Sequence, residues 1–292
     1  MPIPRRASPW SRRDEGSVQP HGNTGDAMST TTLVRVISMT TATARRAAFA
    51  AAADTAMAWS FFDARRSPES PAAYDDRLAL RRFGRPLKPG EIGCYASHFA
   101  VWRQFLDSGA DQLVVLEDDV FVDWPAVEQL CRHDLAGHGI HVLKLFATHP
   151  LRSRMAKYKL LSDHSHLLRL FGHAFGTQAY VLTRRGAAAL VLTCPQMTMP
   201  VDWAMSRYWA YGLPSYAVFP FPVIERHGPS TIEHAQQVDM STHLRDRTAR
   251  LAWRIGERVS RVAFDLTARE NPAFGRPEDA GAAYLGAAPG GH

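Results

Sequence analysis

The chain is expected to fold as an α/β domain in which helices cover both faces of a mostly parallel central sheet. Three observations carry this expectation. Short β-branched runs alternate with helix-patterned stretches through the middle of the chain. Gln112-Leu113-Val114-Val115-Leu116 reads as a buried, apolar strand. With 46% hydrophobic and 21% charged residues over 292 positions, the chain can bury a real core, which excludes collagenous, coiled-coil and wholly disordered classes.

The elements follow in order. Residues 1–32 are polar, rich in Ser, Thr, Gly, Pro and Arg, and are expected to be disordered. Met28 stands just before the first strand pattern, so part of this segment is a candidate over-called gene start. Leu33 to Ile37 is a strand, an Ala-rich helix runs from about residue 42 to 58, and Trp59 to Phe62 is a second strand. Residues 63–88, polar and Arg-rich, read as a long loop with one helical turn. Pro89-Gly90 opens a helix to about Asp107, closed by Ser108-Gly109. Strands at 140–146 and 178–183 and helices at 184–193 and 202–211 complete a domain over 33–240. A basic amphipathic helix occupies 241–270, and 271–292 form a Gly- and Pro-containing tail.

Charge narrows the partners. Thirty-four Lys+Arg against 28 Asp+Glu give +6, nearly all of it from arginine, which points to phosphates, nucleic acid or an acidic membrane face. No recognition helix or aromatic platform is apparent, so nucleic acid is not expected as a partner. Cys94, Cys131 and Cys194 form no disulfide framework, and a reducing compartment is the simplest reading. No apolar run approaches the roughly 20 residues of a membrane span. The basic pairs Arg5-Arg6 and Arg12-Arg13 precede no export-signal core. A cytoplasmic location is expected.

The most informative stretch is Leu116-Glu117-Asp118-Asp119-Val120. Three carboxylates closing a buried strand are costly unless a cation or strong donors compensate them. In an open parallel sheet, ligands gather outside the carboxyl ends of the strands. Alternation puts Glu117 and Asp119 on one face and Asp118 on the other. Two such oxygens suit Mg²⁺ or Mn²⁺ carrying a diphosphate. The alternative is a polar strand end with an acidic helix cap.

Residues 88–120 resemble the signature block of glycosyltransferase family 25. The elements occur in order: Gly90 to Cys94, Ser97-His98, Trp102 and Glu117 to Asp119. Gly176-Thr177-Gln178-Ala179-Tyr180 with Gly186-Ala187, Pro200-Val201-Asp202 and Ser230-Thr231-Ile232 extend the resemblance over about 33–235. Two places depart from it: Ile37-Ser38-Met39 replaces Ile-Asn-Leu, and Arg65-Arg66-Ser67 intervenes where an Asp-Gly turn is usual.

The resemblance implies a GT-A-type nucleotide-sugar-binding fold, a UDP-sugar donor, inversion at the anomeric carbon and a Mn²⁺ or Mg²⁺ cofactor. It assigns Glu117 and Asp119 to the metal and Asp118 to ribose or donor-sugar hydroxyls. Ser38, Arg45, Gly90, Ser97, His98 and Thr177 complete the donor pocket. Adjacent helical positions diverge by about 100°, so Ser97 and His98 cannot both face one pocket squarely, and His98 has a packing alternative. Gly90 and Gly93 mark a helix entry whose N–H groups suit phosphate. Asp202 is the candidate base for the acceptor hydroxyl, with plain N-capping as its alternative and Glu225 in reserve. His227, beside Gly228-Pro229, is either a C-terminal metal ligand or a surface-loop histidine.

Other patterns have blander readings. His164-x-His166 with His173 lacks zinc spacing and reads as a polar loop. Arg152, Arg154, Lys157 and Lys159 lie in a loop or lid that meets either an anionic ligand or solvent. In the C-terminal helix, Leu244, Leu251, Ile255, Val259, Val262 and Leu266 recur at helical spacing among arginines. That stripe either packs on the domain or lies on an anionic bilayer, the inner face of the cytoplasmic membrane. The expected activity is transfer of a hexose, galactose on family grounds, to a hydroxyl of a lipopolysaccharide or other surface-glycan or glycolipid acceptor. The alternative is a non-catalytic sugar-nucleotide-binding or scaffold protein with the same fold.

Overall fold

The computed structural model describes residues 30–149, 152–160, 164–226 and 244–268, with side chains from 246 onward in the last stretch. The expectations for the two tails and for Ser230-Thr231-Ile232 lie outside these residues.

The chain begins with β1 (Thr32–Ser38), α1 (Thr43–Ala52) and β2 (Trp59–Asp63), then β3 (Ala73–Tyr74) and α2 (Asp76–Arg82). Next come α3 (Pro89–Asp107), β4 (Gln112–Glu117), β5 (Val120–Val122), α4 (Trp124–Cys131) and β6 (Val142–Lys144). An antiparallel pair, β7 (Ser153–Lys157) and β8 (His166–Leu170), precedes β9 (Ala179–Thr183) and α5 (Arg184–Thr193). The chain continues through β10 (Gln196–Met197), α6 (Val201–Met205), α7 (Tyr208–Tyr211), β11 (Ser215–Phe219), β12 (Val223–Glu225) and α8 (Leu244–Thr267).

Eight strands make the main sheet, in the order β2-β1-β4-β9-β6-β11-β8-β7. It is mixed, not mostly parallel. β1 pairs in parallel with β2 and β4, and β6 with β11. β9 runs antiparallel between β4 and β6, and β8 antiparallel to both β11 and β7. β8 and β9 run in the same direction, each antiparallel to its neighbour in the β6–β11 pair. Residues 171–178, which contain no helix, return the chain from the end of β8 to the carboxyl end of β4, where the Glu117 N–H donates to the Gln178 carbonyl (2.8 Å). This reversed entry places Gly176 and Thr177 beside the acidic strand end.

β4 explains its own composition. Leu113 and Val115 pack with α3 and α5 in one core, Val114 and Leu116 with Phe49 and Trp124 in the other, and all four are fully buried. A strand covered on both faces must be apolar at successive positions.

Several boundaries differ from expectation for local reasons. α1 stops at Ala52, because Thr55 turns its hydroxyl toward the Met57 N–H (3.0 Å) and Glu128, a pairing that competes with helix. The expected loop at 63–88 contains β3 and α2, whose N-cap Asp75 accepts from the Leu78 N–H (2.7 Å). The helix expected over 202–211 is split: the Ser206 hydroxyl bonds the Asp202 carbonyl (2.7 Å) and accepts from the Ala174 N–H (3.1 Å). Arg154 and Lys157 belong to the edge strand β7, not to a lid; charged side chains are common protection for such an edge.

α5 spans the residues expected of it, with Thr183 as N-cap. A Cβ on Gly186 would fall well inside contact distance of the His141 backbone carbonyl. Backbone cannot step aside as a side-chain tip can. Gly186→Ala is therefore expected to cost about 3 kcal/mol, read as a fall of several degrees in Tm with a shifted denaturant midpoint.

Candidate functional site

The parallel register sets the carboxyl ends of β1 and β4 side by side, with Ile37 opposite Glu117. Ladder pairing stops there, and Asp118-Asp119 form a turn into β5. The strict alternation expected for the three carboxylates therefore does not extend past Glu117. Asp118 is buried and accepts from the Ser38 hydroxyl (2.6 Å). Arg45 lies 3.4 Å from Asp118 and 3.8 Å from Asp119, so it neutralises both members of the turn.

Arg46, which the sequence reading passed over, ties the neighbouring strand ends together. It donates to the Ser38 hydroxyl (3.1 Å), the Ser38 carbonyl (2.8 Å) and Asp63 (2.6 Å). Two adjacent arginines thus have different work: Arg45 faces the acidic turn and Arg46 fixes its scaffold.

Asp119 is the least compensated carboxylate. Its Oδ1 is buried and has no hydrogen-bond partner among the described residues. Burial, reinforced by the charges of Glu117 and Asp118, pushes its carboxyl up to about 6 against the pull of Arg45. Glu225, at the end of β12, adds its own charge to that field. β12 pairs with β5, and the Arg226 N–H donates to the Asp119 carbonyl (2.7 Å), which closes this side of the site.

Glu117 points into a different, enclosed set. It accepts from the Thr177 hydroxyl (2.8 Å) and faces His98 Nε2 at 3.5 Å, the outer limit of a hydrogen bond. Burial works to raise its carboxyl, but His98, Thr177 and Lys144 together hold it below the ordinary carboxylate value. His98 is itself positioned by Tyr180: Trp102 Nε1 donates to the phenol oxygen (2.8 Å), and that oxygen lies 2.8 Å from His98 Nδ1. The phenol proton then satisfies Nδ1, and this network assigns the imidazole N–H to Nε2, toward Glu117. Cys94 stands one helical turn before His98, and ligand atoms of Cys94, His98 and Glu117 lie within 4.8 Å of one another. Burial raises the Cys94 thiol well above its usual range. The i, i+4 spacing of Cys94 and His98 was the sequence signal for this grouping.

Ser97 and His98 do diverge. The Ser97 hydroxyl accepts from the Arg65 N–H (2.8 Å) and donates to the Gly93 carbonyl (2.7 Å). A Cβ at Gly93 would lie 2.9 Å from the Arg65 carbonyl, so glycine there permits the close approach of that segment. Gly90 is exposed in the first turn of α3, where Glu91 folds back onto the Lys88 N–H (2.8 Å) and Arg85.

The Gly176-Thr177 turn joins this region to Asp202. Lys144, fully buried, donates to the Gly176 carbonyl, and burial lowers its ammonium to about 8 although Asp202 and Glu117 pull it upward. The Gly176 N–H faces Asp202 Oδ2 at 3.5 Å. Gly176 has φ +92°, and a Cβ would crowd Gln178 and Thr148, so only glycine suits this turn. Asp202 does not cap α6: the N-cap is Pro200, and Asp202 Oδ1 accepts the adjacent Trp203 N–H (2.8 Å) from within the first turn. A lysine inside the apolar run 141–146, one of four in the chain, is the signal that could have pointed to Lys144.

His227 lies outside the described residues. His166 begins β8, while His173 stacks on Phe175 (5.6 Å) and approaches Trp203 (4.6 Å), so the three histidines do not share a centre. A cavity of about 250 Å³ between α3 and the 62–72 segment, lined by Phe62, Arg65, Ala96 and Arg103, includes none of the carboxylates described above.

Comparison with known proteins gives a consistent result. A family model described as "Glycosyltransferase family 25 (LPS biosynthesis protein)" matches residues 32–205, more than half the chain. A Bos taurus protein named "Probable inactive glycosyltransferase 25 family member 3" is 26% identical over 185 residues, which is 58% of this chain and 31% of that protein. Mus musculus procollagen galactosyltransferase 2 is 53% identical over 36 residues, covering 12% of this chain and 6% of its own. Danio rerio procollagen galactosyltransferase 1 is 27% identical over 127 residues, 41% of this chain and 20% of that one. The chain thus spans less than a third of the length of these relatives.

Proposed function

The chain belongs to glycosyltransferase family 25, and from that premise we propose that it is an inverting, metal-dependent enzyme of GT-A type. It moves a hexose, galactose in the favoured case, from a UDP-sugar to a hydroxyl of a lipopolysaccharide or other surface glycan. The observation that carries this reading is Asp119: a carboxylate at a strand end with a buried oxygen that has no partner among the described residues, close to the charges of Glu117, Asp118 and Glu225. Such a surplus of negative charge fits a divalent cation, and the donor set is all oxygen, as Mn²⁺ or Mg²⁺ prefers. Asp119 would hold the ion, and Glu117, now engaged by Thr177 and facing His98, would join it by turning out of that set. Asp118, already engaged by Ser38 and Arg45, fits the ribose or donor-sugar role. When bound, the ion neutralises charge developing on the departing diphosphate.

The remaining chemistry belongs to the chain. Asp202 takes the proton of the acceptor hydroxyl as its oxygen attacks the anomeric carbon and the bond to the diphosphate breaks. Arg45 adds positive charge on the donor side. Lys144 and the Gly176 turn fix the position of Asp202 relative to Glu117, so donor and acceptor groups keep one geometry.

A second reading is favoured by one specific comparison, the relative named as inactive: binding of the sugar nucleotide without turnover. Calorimetry with UDP tests the shared premise. Binding is expected with Mn²⁺ and lost on chelation; metal-independent binding of equal strength would remove the metal from the account.

A further inference from the structure

α8 resolves two alternatives about its apolar stripe in favour of exposure. At 100° per residue, Leu251, Ile255, Val259, Val262 and Leu266 fall within an arc of roughly 80°. All five are 49–81% exposed. The opposite face is the one built into the domain. Glu257 accepts two bonds from Arg207 (both 2.6 Å) and one from Trp209 Nε1 (3.1 Å). Asp265 accepts from the Tyr208 hydroxyl (2.8 Å), and Arg81 donates to Asp246 (2.8 Å). Phe264 closes over the buried Arg169, whose guanidinium also faces Tyr208. α8 is thereby held with its stripe turned outward.

Charge is sorted in the same way. Among the described residues of α8, the three carboxylates, Asp246, Glu257 and Asp265, all bond to the domain. Arg247, Arg254 and Arg258 are exposed and fall on one flank of the stripe. An apolar strip edged on one flank by arginine, where the flank's one carboxylate, Asp265, is engaged by the Tyr208 hydroxyl, is complementary to anionic headgroups above acyl chains. A second copy is a poorer occupant, because pairing two such helices sets arginine against arginine.

We propose that the outer face of α8 docks the protein on an anionic lipid bilayer, with the helix lying in the plane of the surface. No helix among the described residues is long and apolar enough to cross a membrane. The proposal does not depend on catalysis and would stand if the transferase reading failed.

Co-sedimentation of the full chain with phosphatidylcholine vesicles containing about a third phosphatidylglycerol tests it. Binding is expected to these vesicles and to be weak with phosphatidylcholine alone. It should fall at least about tenfold when Leu251, Ile255 and Val259 are changed to Ser, or Arg247, Arg254 and Arg258 to Gln, and should weaken with salt. The circular dichroism melt of each variant should match the parent, since every substitution is outward. A chain that stays in the supernatant with anionic vesicles would overturn the proposal. So would light scattering that shows a dimer broken by the Ser variant while vesicle binding persists unchanged.

Discussion

Asp119→Ala is expected to lower sugar transfer by at least about 10², the range found when one group stabilising developing charge is removed. It should also abolish the Mn²⁺ dependence of donor binding. The structure provides a control against simple unfolding. In the absence of metal, Asp119 is held ionised against burial and against Glu117 and Asp118. A carboxyl whose folded value is raised to about 6 binds its proton more tightly folded than unfolded. It favours folding below its ordinary value and costs stability as pH rises through about 6. Asp119→Asn should therefore be as stable as the parent at pH 7, or more stable by on the order of 1 kcal/mol after allowance for partial exposure. Loss of transfer without loss of stability is the combined signature. Undiminished transfer in Asp119→Ala would remove the metal assignment.

Asp202→Asn should leave UDP binding intact and reduce turnover by roughly 10²–10⁴, the span of general-base contributions. The substitution is conservative in shape. Asn can still accept the Trp203 N–H at Oδ1, so α6 should keep its first turn. What Asn cannot do is take a proton. Since Pro200 is the N-cap, a role confined to capping is already disfavoured by position. Wild-type turnover in this variant would move the base elsewhere, with Glu225 next to be tested because its charge reaches Asp119 from the other side of the turn.

Much of this arrangement could be read before the structure. The apolar run of β4, the Pro89 entry of α3 and the 184–193 helix were all legible, because burial on two faces, a fixed φ and a Thr cap leave local marks. The direction of β9 was not. An apolar pentapeptide looks the same whichever way its neighbours run. β7 and β8 escaped notice because their polar and apolar residues do not alternate cleanly. At the site, the carboxylate triplet was visible as an unusual sequence, whereas its division was not. Glu117 joins His98 and Thr177, while Asp118 and Asp119 share Arg45. That division follows from a turn that begins one residue after ladder pairing ends. Lys144 and Arg46 were missed for a related reason: their partners, the Gly176 carbonyl and the Ser38 hydroxyl, are brought to them by tertiary folding.

The central claim is that these residues form a sugar-nucleotide transferase centre. Hydrolysis of a panel of UDP-sugars by the full chain with Mn²⁺, in the absence of acceptor, tests it most directly. The account predicts slow release of UDP from one hexose donor, UDP-galactose in the favoured case, abolished by chelation and by Asp119→Ala. Metal-dependent binding with no release from any donor, even when surface-glycan acceptors are supplied, would contradict it and leave a binding protein built on a transferase fold.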